Sequence, residues 1–407
     1  MYKIAGIDVH KKMLAVVVSD VAGEGELHFE RRKFLTVASG LREVAAWLAE
    51  EGVREAVMES TAQYWRPVWQ ELGGHCELFL AQAFSNRAPQ GRKRDFADAE
   101  RLVRRHVAGE LILSFVPDAE QRLWRTMTRS KYQLTRDRVR LHSQIEALLE
   151  QARIKLSSHL SDLLGVSGRR ILQALAAGQK DPAQLAALAD PAVRATPAQL
   201  QDALSAATSM HDLHRQLLSM FLERLELIQR QADLLERSIA QQLRAWHDAM
   251  RRLAEIPGFG VDSAQQVIAE VGPAAATFPT PQQLASWVGV CPGRQESAEV
   301  SVSDRSPKGN RTMRRVLTQV ANAAAKTDGS VFQSFYRKLV TRKGHNKAIW
   351  AVAHRLCRLV WKILHEGARY IEYATRPNAR AARKRATRLL HDLRAMGYQV
   401  QISPMPA

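Results

Sequence analysis

The stretch Lys3–Val9, KIAGIDV, decides how the first part of the chain folds. It is an apolar run too short for a helix, with a carboxylate, Asp8, at its far end. MLAVVVSD (13–20) follows after the polar His10, Lys11 and Lys12, and ELHFERRKF (26–34) alternates apolar with polar residues. Three adjacent strands are predicted. SGLREVAAWLAEEG (39–52) then has helical periodicity and a stop at Gly52. EAVMES (55–60) reads as a strand ending at Glu59, YWRPVWQELGG (64–74) as a helix, and CELFLAQ (76–82) as a further strand.

Three strands followed by αβαβ predict a ribonuclease-H-like layer, a mixed sheet covered by helices; a doubly wound sheet is the alternative. From about residue 120 the pattern turns helical. Leu134, Leu141, Ile145, Leu148 and Ala152 form one seven-residue stripe; Leu218, Phe221, Leu225, Ile228, Ala232, Leu235, Ile239 and Trp246 form a clearer one that skips Gln242. About four heptads predict a coiled coil, against an amphipathic helix packed on its own domain. Residues 250–365 read as mostly helical with a polar loop at 291–310, and the tail from 374 is basic. The expected class is therefore α/β plus α.

The chain has 407 residues, 59 Lys+Arg against 41 Asp+Glu and a net charge of +18. That excess attracts a polyanion, nucleic acid before an anionic membrane surface. The N-terminus lacks a signal-peptide pattern, and no apolar run approaches the ~20 residues of a membrane span. Cys76, Cys291 and Cys357 are scattered, without disulfide or zinc spacing. A reduced, cytoplasmic protein is expected, with no membrane partner.

Four acids stand out as candidate catalytic and metal-binding residues. Asp8 and Glu59 end apolar runs, and Asp95 and Asp98 stand three apart in KRDFADAERLVRR (93–105), on one face of a predicted helix start. Strand-end acids plus a helical pair are what a two-magnesium phosphodiester site requires, because Mg²⁺ takes oxygen ligands and keeps several waters. Turn and helix capping by the same acids is the bland alternative. Arg92, Lys93, Arg94, Arg101, Arg104 and Arg105 could hold phosphates beside them.

Two further segments point to nucleic acid. LAEIPGFGVDSAQQVIAEVG (253–272) has the form of a helix-hairpin-helix, in which Gly258 and Gly260 would let the turn approach a phosphate. GVCPGRQESAEVSVSDRSPKGNRTMRRVLTQVA (289–321) places Arg294, Lys308, Arg311, Arg314 and Arg315 around a serine-rich loop. A serine among such cations could attack a phosphate. Ser286, Ser297, Ser301, Ser303 and Ser306 all compete on chemistry alone.

GIDVHKK, MES, KRDFADA, SDLLGVSGRRILQAL, IPGFGVDSAQQVIAEVGP and GVCPGRQESAEV…KGNRTMRR occur in the order found in bridge-RNA-guided insertion-sequence transposases. The chain resembles these DEDD transposases along nearly its whole length; Piv-type DNA invertases are their relatives. The resemblance implies a RuvC-like catalytic domain at 1–120, a helical coiled-coil region at 121–249, a serine-bearing transposase domain at 250–370 and a basic tail at 371–407. It implies Asp8, Glu59, Asp95 and Asp98 as Mg²⁺ ligands and selects Ser297 as the nucleophile joined covalently to DNA. It also implies donor and target DNA, a structured guide RNA, and dimers assembling to a tetramer.

The chain departs from the family pattern at two places. Lys93-Arg94 precede Asp95 where Lys-Thr is usual, and Glu299-Val300 stand where Gly-Lys usually follows the serine, which puts a negative charge near the nucleophile. Other functions compatible with the same residues are an invertase without RNA, a RuvC-like structure-selective nuclease that uses water, and a non-catalytic basic DNA-binding protein.

Overall fold

Strand β1 (Tyr2–Val9) sits in the middle of a five-stranded mixed sheet. The computed structural model describes residues 2–21, 27–60, 62–86, 95–291, 295–297, 300–303, 306, 308–371 and 387. They fall into two compact units, 1–117 and 118–407. In the first, β2 (Met13–Val21), β3 (Glu30–Leu35), α1 (Ala38–Glu50), β4 (Val53–Glu59), α2 (Trp65–Leu72), β5 (Glu77–Ala81) and α3 (Asp95–Val107) follow in order. The strand order is β3-β2-β1-β4-β5. β1 runs antiparallel to β2 and parallel to β4, and β5 continues parallel to β4.

This is the mixed sheet expected from the strand and helix pattern. β1 is central and covered on both faces, so its residues are apolar almost without alternation. Ala5, Ile7 and Val9 pack with Leu41, Val44 and Leu48 of α1 and with Val68 and Leu72 of α2. On the opposite face Ile4 packs with Ala99 and Val103 of α3, and Val57 with Leu102. The edge strand β3 differs from the half-buried strand read from ELHFERRKF. It begins only at Glu30, and all but Phe34 is exposed.

The second unit contains α4 (Ala119–Gln151), α5 (Val166–Ala176), α6 (Pro182–Ala186), α7 (Pro197–Ala203), α8 (Asp212–Gln242), α9 (His247–Ala254), α10 (Val261–Val271) and α11 (Pro281–Val288). The hairpin β6 (Gln295–Ser297) and β7 (Val300–Ser303) follows, then α12 (Arg311–Lys326) and α13 (Val331–His365). α13 breaks at Gly344, where φ is 75°. Within the polar loop expected across 291–310, the structure places this short hairpin. Asp118 caps α4 by accepting the Gln121 N–H at 2.7 Å, which fixes where that helix begins.

The stripe read as a coiled coil is in part an internal seam. Leu218 and Leu225 join Leu141, Ile145 and Leu148 of α4 and Ile171, Leu172 and Leu175 of α5 in one buried core. α4 and α8 run antiparallel, since the end of α4 meets the start of α8 while Lys131 lies 3.3 Å from Glu236. α8 stops at Gln242, where the stripe skips, leaving Trp246 in a separate short turn. A different line on α8, Leu213, Met220, Leu227 and Leu234, repeats every seven residues and is 46–58% exposed. Among the described residues no helix is long and apolar enough to cross a membrane, and the three cysteines are free.

Candidate functional site

The acids of the first unit are assembled by strand register and by one glycine. The β1–β4 ladder pairs Ile7 with Met58, so the next step brings Asp8 beside Glu59 at the carboxyl edge of the sheet. That edge is where open α/β sheets place their ligands. Strand alternation turns Asp8 to the same face as Ile4 and Gly6, the face that α3 covers. Gly6 lets α3 lie directly on β1: a Cβ there would run into the Ala99 carbonyl and lie 2.8 Å from Val103 Cγ2. The close approach brings the start of α3 to the end of β1.

Among the described residues, Asp8, His10 and Asp95 have ligand atoms that all lie within 4.8 Å of one another. His10 Nε2 is 3.0 Å from Asp8 Oδ2 and 3.5 Å from Asp95 Oδ1. The other Asp95 oxygen is 3.3 Å from Lys33 Nζ, so both its oxygens face side-chain partners. Asp98, only 8% exposed, is bound by Arg101. Arg101 also donates through Nε to the Asn86 carbonyl at 3.1 Å, and Asn86 Nδ2 donates to Glu59 Oε2 at 3.0 Å. The structure therefore brings Asp8 and Asp95 together and holds Asp98 and Glu59 outside that trio on an Arg101–Asn86 link.

Sequence reasoning passed over His10 as a site residue, although its spacing of two from Asp8 at a strand end was a signal that both share a face. It also passed over Lys33, which nothing in the sequence ties to Asp95. Of the nearby cations, Arg105 donates to the Ser85 carbonyl at 2.5 Å and Arg104 lies over the Phe29 ring. Arg92, Lys93 and Arg94 lie outside the described residues. Converging carboxylates and an imidazole are a donor set that suits a divalent cation, whose charge relieves their mutual repulsion.

In the second unit, Gly258 (φ 85°) turns the chain between α9 and α10. A Cβ at Gly258 would lie 2.6 Å from Ala324 N and 2.7 Å from Val320 O. The glycine is thus required by packing on α12, whereas Gly260, at the start of α10, has open space around it. α12 is anchored by a buried carboxylate. Glu270, 0% exposed, takes two hydrogen bonds from Arg129, at 2.7 and 2.9 Å, and one from Asn310 at 2.8 Å. Asn310 caps α12 by accepting the Met313 N–H at 2.9 Å. Gly309 fits so closely against the end of α11 that a Cβ would strike the Val288 carbonyl.

The candidate phosphate-binding cations divide. Lys308 and Arg311 are exposed. Arg314 donates to the Gly289 carbonyl at 2.9 Å and lies over Trp350; Arg315 stacks 3.6 Å above the Tyr132 ring and bonds Gln266. Those internal partners give Arg314 and Arg315 structural work that the run of basic residues did not reveal. Arg294 lies outside the described residues. Ser297 is the last residue of β6, paired with Val300 across the hairpin. Ser306 accepts a hydrogen bond from Trp350 Nε1 at 2.8 Å. A basic stretch overlooked in the sequence surrounds the break in α13: Arg337, Lys338, Arg342, Lys343 and Lys347 are all exposed.

Two family models match the chain, a DEDD transposase model of IS110-type elements over residues 5–154 and "Transposase IS116/IS110/IS902 family" over residues 250–337. Together they cover more than half of it. The chain belongs to the IS110/IS116/IS902 transposase family. The four acids fall within the first matched segment, and Ser297 with Lys308 to Arg315 within the second.

Among its relatives, the insertion element IS900 uncharacterized 42 kDa protein of Mycobacterium paratuberculosis is 29% identical over 119 residues, 29% of this chain and 30% of that one. The insertion element IS110 uncharacterized 43.6 kDa protein of Streptomyces coelicolor is 28% identical over 147 residues, 36% of each chain. The match thus spans about a third of the length of these relatives. Thermus thermophilus RuvC superimposes with a TM-score of 0.23 at 13% identity, over 28% of this chain and 99% of that structure, a likeness too slight to carry weight.

Proposed function

We propose that this family member is an insertion-sequence transposase that cuts and exchanges DNA strands, using Asp8, Glu59, Asp95 and Asp98 as the metal-binding acids and Ser297 as the nucleophile. The observation that carries the reading is the convergence of Asp8 and Asp95, from a strand end and a helix start, in a chain that matches a transposase family over both its acidic and its serine-bearing regions. Mg²⁺ held by these carboxylates would supply charge neutralisation at the scissile phosphate. Asp8, Glu59, Asp95 and Asp98 are the residues that would hold the ion, and Arg101 and Lys33 hold Asp98 and Asp95 in place.

Ser297 Oγ attacks phosphorus; a Ser–O–P bond forms as the P–O3′ bond breaks, and the serine proton is lost while the leaving 3′-oxygen gains one. A 3′-hydroxyl from another strand then reverses the step, so bond count is conserved and no external energy source is needed. Exposed Lys308, Arg311 and the open turn at Gly260 suit DNA phosphates, with α9–α10 acting as a helix-hairpin-helix. Arg294, Arg314, Arg315 and Gly258 are proposed as further DNA contacts; Arg314, Arg315 and Gly258 also pack within the second unit.

Four functional regions, 1–120, 121–249, 250–370 and 371–407, divide the work in the cytoplasm, and the net charge of +18 suits a structured guide RNA as well as donor and target DNA. The exposed line Leu213, Met220, Leu227 and Leu234 on α8 gives a seam for a second copy, a dimer that assembles to a tetramer.

The test is a covalent-adduct assay. Protein, RNA transcribed from the element's flanks, junction DNA and Mg²⁺ are mixed and resolved on a denaturing gel. A protein-linked DNA band that needs RNA, metal and Ser297, and vanishes in Ser297→Ala, supports the reading. A linked band without RNA points to a Piv-like invertase. Free cleaved DNA indifferent to Ser297 points to a RuvC-like nuclease and removes the serine from the mechanism.

A further inference from the structure

We propose that His10 binds the divalent cation of the acidic centre directly through Nε2 and sets its preference toward Mn²⁺; this rests on the metal reading of Asp8 and Asp95. His10 follows β1 immediately, and its backbone N–H donates to the Met13 carbonyl at 3.0 Å, closing the turn into β2. That turn fixes the ring between two chain segments that are remote in sequence. Nε2 stands 3.0 Å from an Asp8 oxygen and 3.5 Å from an Asp95 oxygen.

The geometry separates a ligand from a salt bridge. Nε2 is buried yet, among the described residues, makes no hydrogen bond of acceptable direction, to either carboxylate or to any other group. A histidine placed to pair with an acid aims its N–H along the line to an oxygen. Here the nitrogen is turned off that line although an oxygen is at contact distance. With all three donor atoms within 4.8 Å of one another, an ion could be bound by all of them after small side-chain rotations.

The chemistry then selects the ion. Mg²⁺ demands near-ideal oxygen coordination and retains its waters. Imidazole is a better partner for later divalent ions, and Mn²⁺ accepts carboxylate and water alongside it. An oxygen-only centre of four acids would discriminate little between Mg²⁺ and Mn²⁺ by ligand type. Exchanging one oxygen for His10 nitrogen favours Mn²⁺.

The experiment uses the full-length protein, without nucleic acid, titrated with Mn²⁺ and examined by pulsed electron paramagnetic resonance. The expected result is a ¹⁴N coupling from one directly bound imidazole in the wild type. It disappears in His10→Gln, where Mn²⁺ affinity falls about tenfold, the scale of a lost metal-site partner, and Mg²⁺ affinity changes little. Mn²⁺ bound in the wild type and released by Asp8→Asn, but with no ¹⁴N coupling, overturns the role of His10 and leaves the acidic centre standing. Mn²⁺ binding indifferent to Asp8→Asn overturns the centre and the histidine together. The wild-type spectrum decides the point even if a variant folds poorly.

Discussion

Gly6 of β1 lies directly beneath Ala99 of α3, so close that a Cβ at Gly6 would strike the Ala99 carbonyl. Helix backbone rests on strand backbone at this point; Asp98 precedes Ala99 directly and Asp95 is carried one turn away on the same helix. Gly6→Ala forces α3 off the sheet. Overpacking of a fitted contact costs about 1–3 kcal/mol. Denaturant unfolding should show that loss, and the ion affinity of the acidic centre should fall with it. Unchanged stability would mean that α3 does not rest on β1 in this way.

Glu270 is the second test of packing. Its buried carboxylate is matched by Arg129 and Asn310, with Arg125 3.5 Å away. Arg129 is partly exposed, so water compensates some of its charge; losing the hydrogen bonds to the buried carboxylate costs about 1–3 kcal/mol. Glu270→Gln should lower the thermal midpoint strongly, whereas an exposed acid such as Glu226 changed to Gln should not.

The cations of the second unit should separate into binders and builders. Lys308→Ala with Arg311→Ala should weaken binding to DNA of any sequence, reduce the salt slope by about two, and leave stability nearly unchanged. Arg315→Ala should cost stability, since it removes the stack on Tyr132 and the bond to Gln266. Salt titrations by fluorescence anisotropy beside thermal melts distinguish the two. Equal stability losses in both variants would contradict the division.

His354 supplies a pH dependence. Burial, then the nearby Arg358 and Arg355, hold its imidazole below the ordinary value. A depressed folded value means that the unfolded chain binds the proton more readily. Its contribution is therefore full above the unfolded value, about pH 6.5, and is lost as pH falls through the lower folded value. His354→Gln should flatten the acid limb of stability below about pH 6.5. An identical acid limb in the variant would assign it to other groups.

Within the first unit the sheet was legible because strand periodicity and end residues are local properties. KIAGIDV, MLAVVVSD, EAVMES and CELFLAQ each carry their own signal, and all four correspond to strands. The four acids were legible as candidates for the same reason: each stands at the end of a strand or in the first turn of a helix. The hairpin within 291–310 was not legible, because short polar strands carry little periodicity. Nor was the inward turn of the α8 stripe: periodicity gives an apolar face but not its partner, and here α4 and α5 occupy part of it while Leu213, Met220, Leu227 and Leu234 stay exposed.

The sequence by itself determined the class of each segment, the excess of positive charge and the order of the motifs, since these depend on neighbours in the chain. Only the tertiary structure decided that His10 joins Asp8 and Asp95, that Arg101 and Asn86 link Asp98 to Glu59, and that Glu270 ties Arg129 to the cap of α12. Those relationships join residues remote in sequence. They are set by strand register and by glycines that admit close backbone contact, which neither periodicity nor composition records.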